Sequence, residues 1–290
     1  RAAFKLQIDD AVDEALATPD PDNPPELELS DVFVSAPPPV TPDPSAERLE
    51  MRYLDAITDA MRTAMRADRR VLLLGQDIAE YGGAFKATQG FVEEFGRARV
   101  RNTPIIESGI LGAAMGLGFE GYRPIVEMQF SDFVTCGFNQ IVNNLAKTHY
   151  RWGANVPVVI RLPSGGGVGA GPFHSQNPEA WFCHVAGLKV VAPATPEDAK
   201  GLLLAAIQDG NPVLYLEHKL LYRSIKGLVP SGHYTVPIGQ ARMALEGTDA
   251  TVVTYGVGVH WALEAAELLA REGVSLEVVD LRTLVPWDQE

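Results

Sequence analysis

Five short runs of almost wholly apolar residues, at 71–75, 124–129, 156–162, 188–191 and 213–216, constrain this chain most. A strand with one wet face alternates apolar and polar side chains, whereas one apolar throughout needs cover on both faces. Between the runs, residues 49–67, 91–95, 110–118, 138–150 and 196–209 space their apolar side chains as helices do. Strands and helices in alternation predict an α/β fold, a parallel sheet with helices on both faces. A second unit of the same kind opens near Val236, with strands at 251–256 and 276–280 around a helix at 261–272. It has too few elements for a whole domain.

The first 47 residues are of a different kind. Phe4 to Leu16 reads as a short amphipathic helix, and a helix of that length is marginal without a partner. Nine prolines between Pro19 and Pro44 predict an extended linker without regular structure. Within it Leu27, Leu29, Val32, Phe33 and Val34 are expected to dock together on a folded surface. The reading is therefore a terminal helix over 1–17, a linker over 18–47, a first α/β domain over 48–235 and an incomplete second one over 236–290. The net charge of −13 argues against nucleic-acid binding, and residues 1–50 carry 12 acidic and 3 basic side chains, −9 of it. No apolar run is long enough to span a bilayer. Cys136 and Cys183 form no framework, which fits a reducing compartment.

Ligands of parallel sheets bind beyond the C-terminal strand ends. Glu107, Gln129 and the loop after Leu162 stand at such ends. Glu107 follows Ile105-Ile106 and precedes a Gly- and Ala-rich helical pattern. There a carboxylate either caps the helix or, partly buried, exchanges a proton near neutral pH. Gly116-Leu117-Gly118-Phe119-Glu120-Gly121 fits the dinucleotide fingerprint by letter, but it closes a helix instead of opening one. The glycine-rich run at 164–171 lacks the Lys-Ser/Thr of a P-loop and shapes or covers a site. His174 lies in that loop, either structural or a proton donor.

These residues carry a resemblance. Asn102-Thr103-Pro104-Ile105-Ile106-Glu107, Glu127-Met128-Gln129-Phe130, His174-Ser175-Gln176, Pro178-Glu179-Ala180, Gly187-Leu188-Lys189-Val190-Val191, Asp198-Ala199-Lys200-Gly201-Leu202 and Asp280-Leu281-Arg282-Thr283 make residues 51–290 resemble the β subunit of thiamine-diphosphate-dependent 2-oxo acid dehydrogenases. Residues 1–34 look like the tail of that family's α subunit, so the resemblance implies an α–β fusion. It implies a pyrimidine-binding domain followed by the start of a transketolase-type C-terminal domain. It also implies thiamine diphosphate held between the halves, with Mg²⁺ on the α half. Glu107 matches the glutamate at N1′ of the aminopyrimidine, Ile105 and Gln129 line the pyrimidine pocket, and Phe133 takes the place of an aromatic residue stacked on the ring. His174 matches a histidine that protonates the lipoyl group. Asp209 and Asn211, with backbone carbonyls near Val156, Val158 and Val159, match a potassium site.

The motifs around Gln129 and His174 favour branched-chain 2-oxo acids, with pyruvate and acetoin open. The implied partners are an α half, a lipoyl-bearing acyltransferase core and further copies in an α2β2-type assembly, in the cytoplasm of a bacterium or in a mitochondrial matrix. The Gly-Asp-Gly…Asn pyrophosphate motif is absent from these 290 residues, so they are expected to bind the cofactor poorly and turn over nothing alone. A transketolase-like or deoxyxylulose-phosphate-synthase-like enzyme and a non-catalytic assembly subunit are the alternatives.

Overall fold

A computed structural model describes residues 1–20 and 22–290. Residues 1–32 form one unit and residues 33–290 another. In the first, α1 (Ala2–Ala17) is fully exposed, with Lys5 paired to Asp9. The linker is not wholly irregular, because Pro25–Ser30 forms a short helix, α2. Proline is favoured in a first helical turn, where its missing N–H costs nothing, and Glu26 and Glu28 face the positive end of the dipole. Leu27 and Leu29 are exposed, and half-buried Phe33 and Val34 belong to the second unit. Pro21, within the same linker reading, lies outside the described residues.

In the second unit β1 (Arg48–Arg52) replaces the expected first turn of the helix at 49–67, and α3 (Tyr53–Ala67) follows. β1 pairs antiparallel with Lys226–Pro230, so a partner far along the chain overrides local helical spacing. The order continues with β2 (Val71–Gly75), α4 (Phe91–Phe95), β3 (Val100–Asn102), α5 (Glu107–Phe119) and β4 (Arg123–Glu127). A 3₁₀ segment (Ser131–Gly137) then runs through a π-helical stretch (Gln140–Leu145) into α6 (Ala146–Trp152). After these come β5 (Val159–Ser164), α7 (Glu179–Cys183), β6 (Lys189–Val191), α8 (Pro196–Gln208), β7 (Val213–His218), α9 (Leu221–Ser224) and β8 (Lys226–Pro230). The last stretch holds β9 (Arg242–Leu245), β10 (Ala250–Thr254), α10 (Val257–Ala270), β11 (Leu276–Asp280) and β12 (Thr283–Val285).

Seven strands form the main sheet in the order β12-β6-β7-β5-β4-β2-β3, parallel except for edge strand β12. Successive side chains of a strand face opposite sides. Val71 and Leu73 accordingly enter one core with Ile57, Met61 and Leu203, and Leu72 and Leu74 enter the other with Leu111, Ile160 and Leu214. This double cover is why the strands read as continuous apolar runs. At Gly187, φ is +88° and any Cβ would strike the Ala146 carbonyl, so the turn into β6 needs glycine.

β9, β10 and β11 make a smaller sheet, while β12 crosses to the large one. Asp280, at the end of β11, is fully buried, accepting from Arg242 at 3.3 Å and from the Arg282 amide at 3.1 Å. Burial, reinforced by Asp198, raises its carboxyl to about 6 despite Arg242. The folded state therefore binds this proton more tightly than the unfolded chain, whose aspartates titrate near ~3.9. Its contribution to stability is complete below about pH 4 and is lost as pH rises through about 6, at most ~3 kcal/mol. Asp280→Asn is expected to flatten this part of the stability profile, read as urea midpoints between pH 4 and 7.5.

Candidate active site

The residues singled out in the sequence fall on two opposite edges of the large sheet. Glu107, Gln129, Phe133 and His174 follow the C-terminal ends of β3, β4 and β5. Val156, Val158, Asp209 and Asn211 precede β5 and β7 at the other edge, and Val159 is the first residue of β5. Only the first edge has the geometry of a ligand site in a parallel sheet.

Glu107 is the first residue of α5, not the end of a strand, because Ile105 and Ile106 lie in the turn that leads into the helix. It thus meets the helix N-terminus while 9% exposed. The Gln76 Nε2 donates to its Oε1 at 3.1 Å from the turn after β2, and among the described residues no donor reaches Oε2. Gly137 lets the 3₁₀ segment close on this turn, since a Cβ there would run into Leu111 and approach the Glu107 carbonyl. Nearby, the Thr103 hydroxyl is buried without a partner, and Ile105 and Ile106 are exposed at 83% and 52%. A carboxylate oxygen fixed on one side and free on the other, beside exposed apolar side chains, fits a flat heterocycle with a polar edge, such as an aminopyrimidine.

A second group forms around His174. Its ring meets Phe130 edge-on at 4.5 Å between centroids and Phe133 at 5.5 Å. Phe130 also touches Phe85, which touches Tyr222, giving a ladder of edge contacts under the loop. Asp132 Oδ1 accepts the amides of Ser175 and Gln176, and the Ser131 hydroxyl donates to the Gln176 carbonyl. The loop that bears His174 is therefore laced to the turn that bears Phe133. Gln129 is half-buried just before that turn, two residues after β4. Glu107 is held from a different side, through Gln76.

Below this edge lies a group that sequence reading missed. Arg161 on β5 is bound at 2.6 Å by Glu127 of β4, and at 2.6 and 2.8 Å by both oxygens of Glu217 on β7; the Tyr222 hydroxyl donates to Glu217 at 2.7 Å. All four are buried. Burial raises the Glu127 carboxyl. Burial also opposes the charge on Arg161, but Glu217 and Glu127 outweigh it and hold the guanidinium protonated. Each of the three charges stood singly within or just after an apolar run, and nothing local shows that they meet. Further along, burial lowers Lys219 to about 8 and His218 to about 4, and raises Glu179. His218 and Glu179 line a cavity with Tyr255 and Trp261, beyond the ends of β5 and β7.

Among the described residues no group of three His, Cys, Asp or Glu side chains could share a metal ion, and no helix is long and apolar enough to cross a membrane. The family model of the transketolase pyrimidine-binding domain matches residues 50–225, and that of the transketolase C-terminal domain matches residues 239–290. The 2-oxoisovalerate dehydrogenase subunit beta of Bacillus subtilis (strain 168) is 52% identical over 244 residues, 83% of this chain and 74% of that protein. The pyruvate dehydrogenase E1 component subunit beta of the same organism is 47% identical over 241 residues, 82% of this chain and 74% of that one. Among solved structures, a split-gene transketolase, described as an inactive beta4 tetramer, superposes with a TM-score of 0.64 at 22% identity, covering 82% of this chain and 73% of its own. That likeness shows the fold alone. With matches of this extent, the chain belongs to the family of 2-oxo acid dehydrogenase E1 β subunits, built on the transketolase pyrimidine-binding and C-terminal domains.

Proposed function

We propose that this chain supplies the pyrimidine-binding half of a thiamine-diphosphate site that oxidatively decarboxylates a branched-chain 2-oxo acid and passes the acyl group to a lipoyl carrier. The observation that carries the reading is Glu107, buried at the start of α5 with Oε1 held by Gln76 and Oε2 without a donor among the described residues. Bound thiamine diphosphate supplies the carbon that takes up the 2-oxo acid and the ring that accepts electrons as CO2 leaves. Glu107 would hold or give a proton at N1′ through Oε2. Its carboxylate is fixed before the cofactor arrives, so little reorganisation is needed during reaction. Ile105 and Phe133 would cover the ring, and Gln129 would line its edge. The diphosphate and its Mg²⁺ would be held by an α half, in an α2β2-type assembly around a lipoyl-bearing core. The branched-chain preference is supported by the higher identity to the 2-oxoisovalerate enzyme, 52% against 47%.

His174 would act after decarboxylation, protonating the lipoyl sulfur as the acyl group moves. Its contacts to Phe130 and Phe133 aim the ring without using its nitrogens. His174→Ala is accordingly expected to keep decarboxylation with an artificial electron acceptor within a few-fold of wild type, while lipoyl acylation falls about 10²-fold. Both assays are run on the full protein with its α half, with 2-oxoisovalerate and pyruvate as substrates. Equal loss in both assays would remove His174 from the acyl-transfer role. A full protein that decarboxylates neither substrate would overturn the reading as a whole.

A further inference from the structure

At the N-terminal edge of the sheet, Asp209, one of the residues that match a potassium site, is already held by the protein's own cations. Lys189, the first residue of β6, places Nζ 2.6 Å from Asp209 Oδ2, with both side chains buried. Arg123, the first residue of β4, donates from Nη1 to the carbonyls of Ile207 and Asp209 at 2.7 and 3.2 Å. A guanidinium there meets the negative end of α8. Several of the other candidate oxygens already accept hydrogen bonds. Asp209 Oδ1 accepts from the Asn211 amide nitrogens at 2.9 and 2.6 Å, and Asn211 Oδ1 accepts from the Val34 N–H at 2.8 Å. The Val156 carbonyl accepts from Val158, and the Val158 carbonyl from Val213.

Charge decides more than occupancy. Arg70 also faces Arg123, but it is paired to Asp68 at 2.8 Å. That leaves Lys189 and Arg123 against the single carboxylate of Asp209. With the Arg70–Asp68 pair neutral as a whole, a potassium ion would add a third positive charge beside Lys189 and Arg123 against one remaining carboxylate, and buried charge without a partner is unfavourable. We propose that Arg123 and Lys189 fill the cation role at the turn between α8 and β7, so that this chain folds without potassium. The turn has a second duty here. The Asn211 side chain donates back to the Val34 carbonyl at 2.9 Å, so one amide grips the linker backbone by both its N–H and its C=O. An ion that drew Asn211 Oδ1 away would loosen that grip.

The test is thermal unfolding of the full chain in potassium chloride and in choline chloride at equal ionic strength. A cation bound only by the folded state raises the midpoint by mass action, so the wild-type midpoints are expected to agree within about 1 °C. Arg123→Ala frees the carbonyls of Ile207 and Asp209; its midpoint should fall in choline chloride and be partly restored by potassium. A wild-type midpoint that climbs saturably with potassium overturns the proposal, as does a folded Arg123→Ala variant indifferent to it. If Arg123→Ala does not fold, Lys189→Met is read in the same way. None of these readouts depends on the reaction the enzyme catalyses.

Discussion

Glu107→Gln should lower turnover by about 10³-fold, or ~4 kcal/mol of barrier, while leaving the fold intact. The substitution is nearly isosteric, and the retained carbonyl oxygen can still accept from Gln76, so the turn into α5 keeps its hydrogen bond. What is lost is the acidic atom. An amide oxygen accepts a hydrogen bond but neither takes up nor releases a proton at neutral pH. The expected signature is thus a collapse of decarboxylation at an unchanged urea midpoint, measured on the full protein with saturating thiamine diphosphate and Mg²⁺. Activity close to wild type would remove Glu107 from proton transfer and return it to the helix-capping role. A matching loss of stability would show that the carboxylate mainly holds the fold.

The largest stability effect is expected at Arg161. Arg161→Met leaves Glu127 and Glu217 facing each other in the interior with no counter-charge, and breaking a buried pair in this way costs about 3–5 kcal/mol. Domain stabilities are commonly about 5–15 kcal/mol, so the variant would lose a large part of its margin and unfold at a clearly lower denaturant midpoint. The triple replacement Arg161→Met, Glu127→Leu, Glu217→Leu removes all three charges and should recover much of the loss, because no unpaired charge remains. Equilibrium denaturation of the two variants separates these outcomes. A single mutant as stable as wild type would mean that water reaches the triad. The effect should extend to function, because Glu127 lies two residues before Gln129 and Tyr222 supports the ladder through Phe85 and Phe130 to His174.

Asp280 shows the same physics with weaker pairing. Its partner Arg242 is 38% exposed, so the carboxyl is pushed up by burial instead of being held down by its cation. Arg161 is 1% exposed with two bound carboxylates, and its charge is sustained. Whether a buried charge survives depends on how completely it is surrounded, which composition does not report.

The sequence by itself determined the β2, β4, β5, β6 and β7 runs, because cover on both faces leaves an unbroken apolar signal at each strand. It also placed Gln129 and the loop bearing His174 beyond strand ends, since chain order and sheet polarity are enough for that, but it put Glu107 at the end of a strand where the structure has the first residue of α5. Only the tertiary structure decided that residues 48–52 are a strand, because their partner lies at 226–230, beyond the reach of local periodicity. β12 likewise leaves the small sheet for the edge of the large one. The charges of Glu127, Arg161 and Glu217 were visible one by one, but their meeting spans separations of 34 and 56 residues. Gln76 was equally unremarked, since its partner Glu107 is 31 residues away. Periodicity reports whether a side chain faces water or core; which two charged groups share the core is set by strand order and register, and those exist only once the chain has folded.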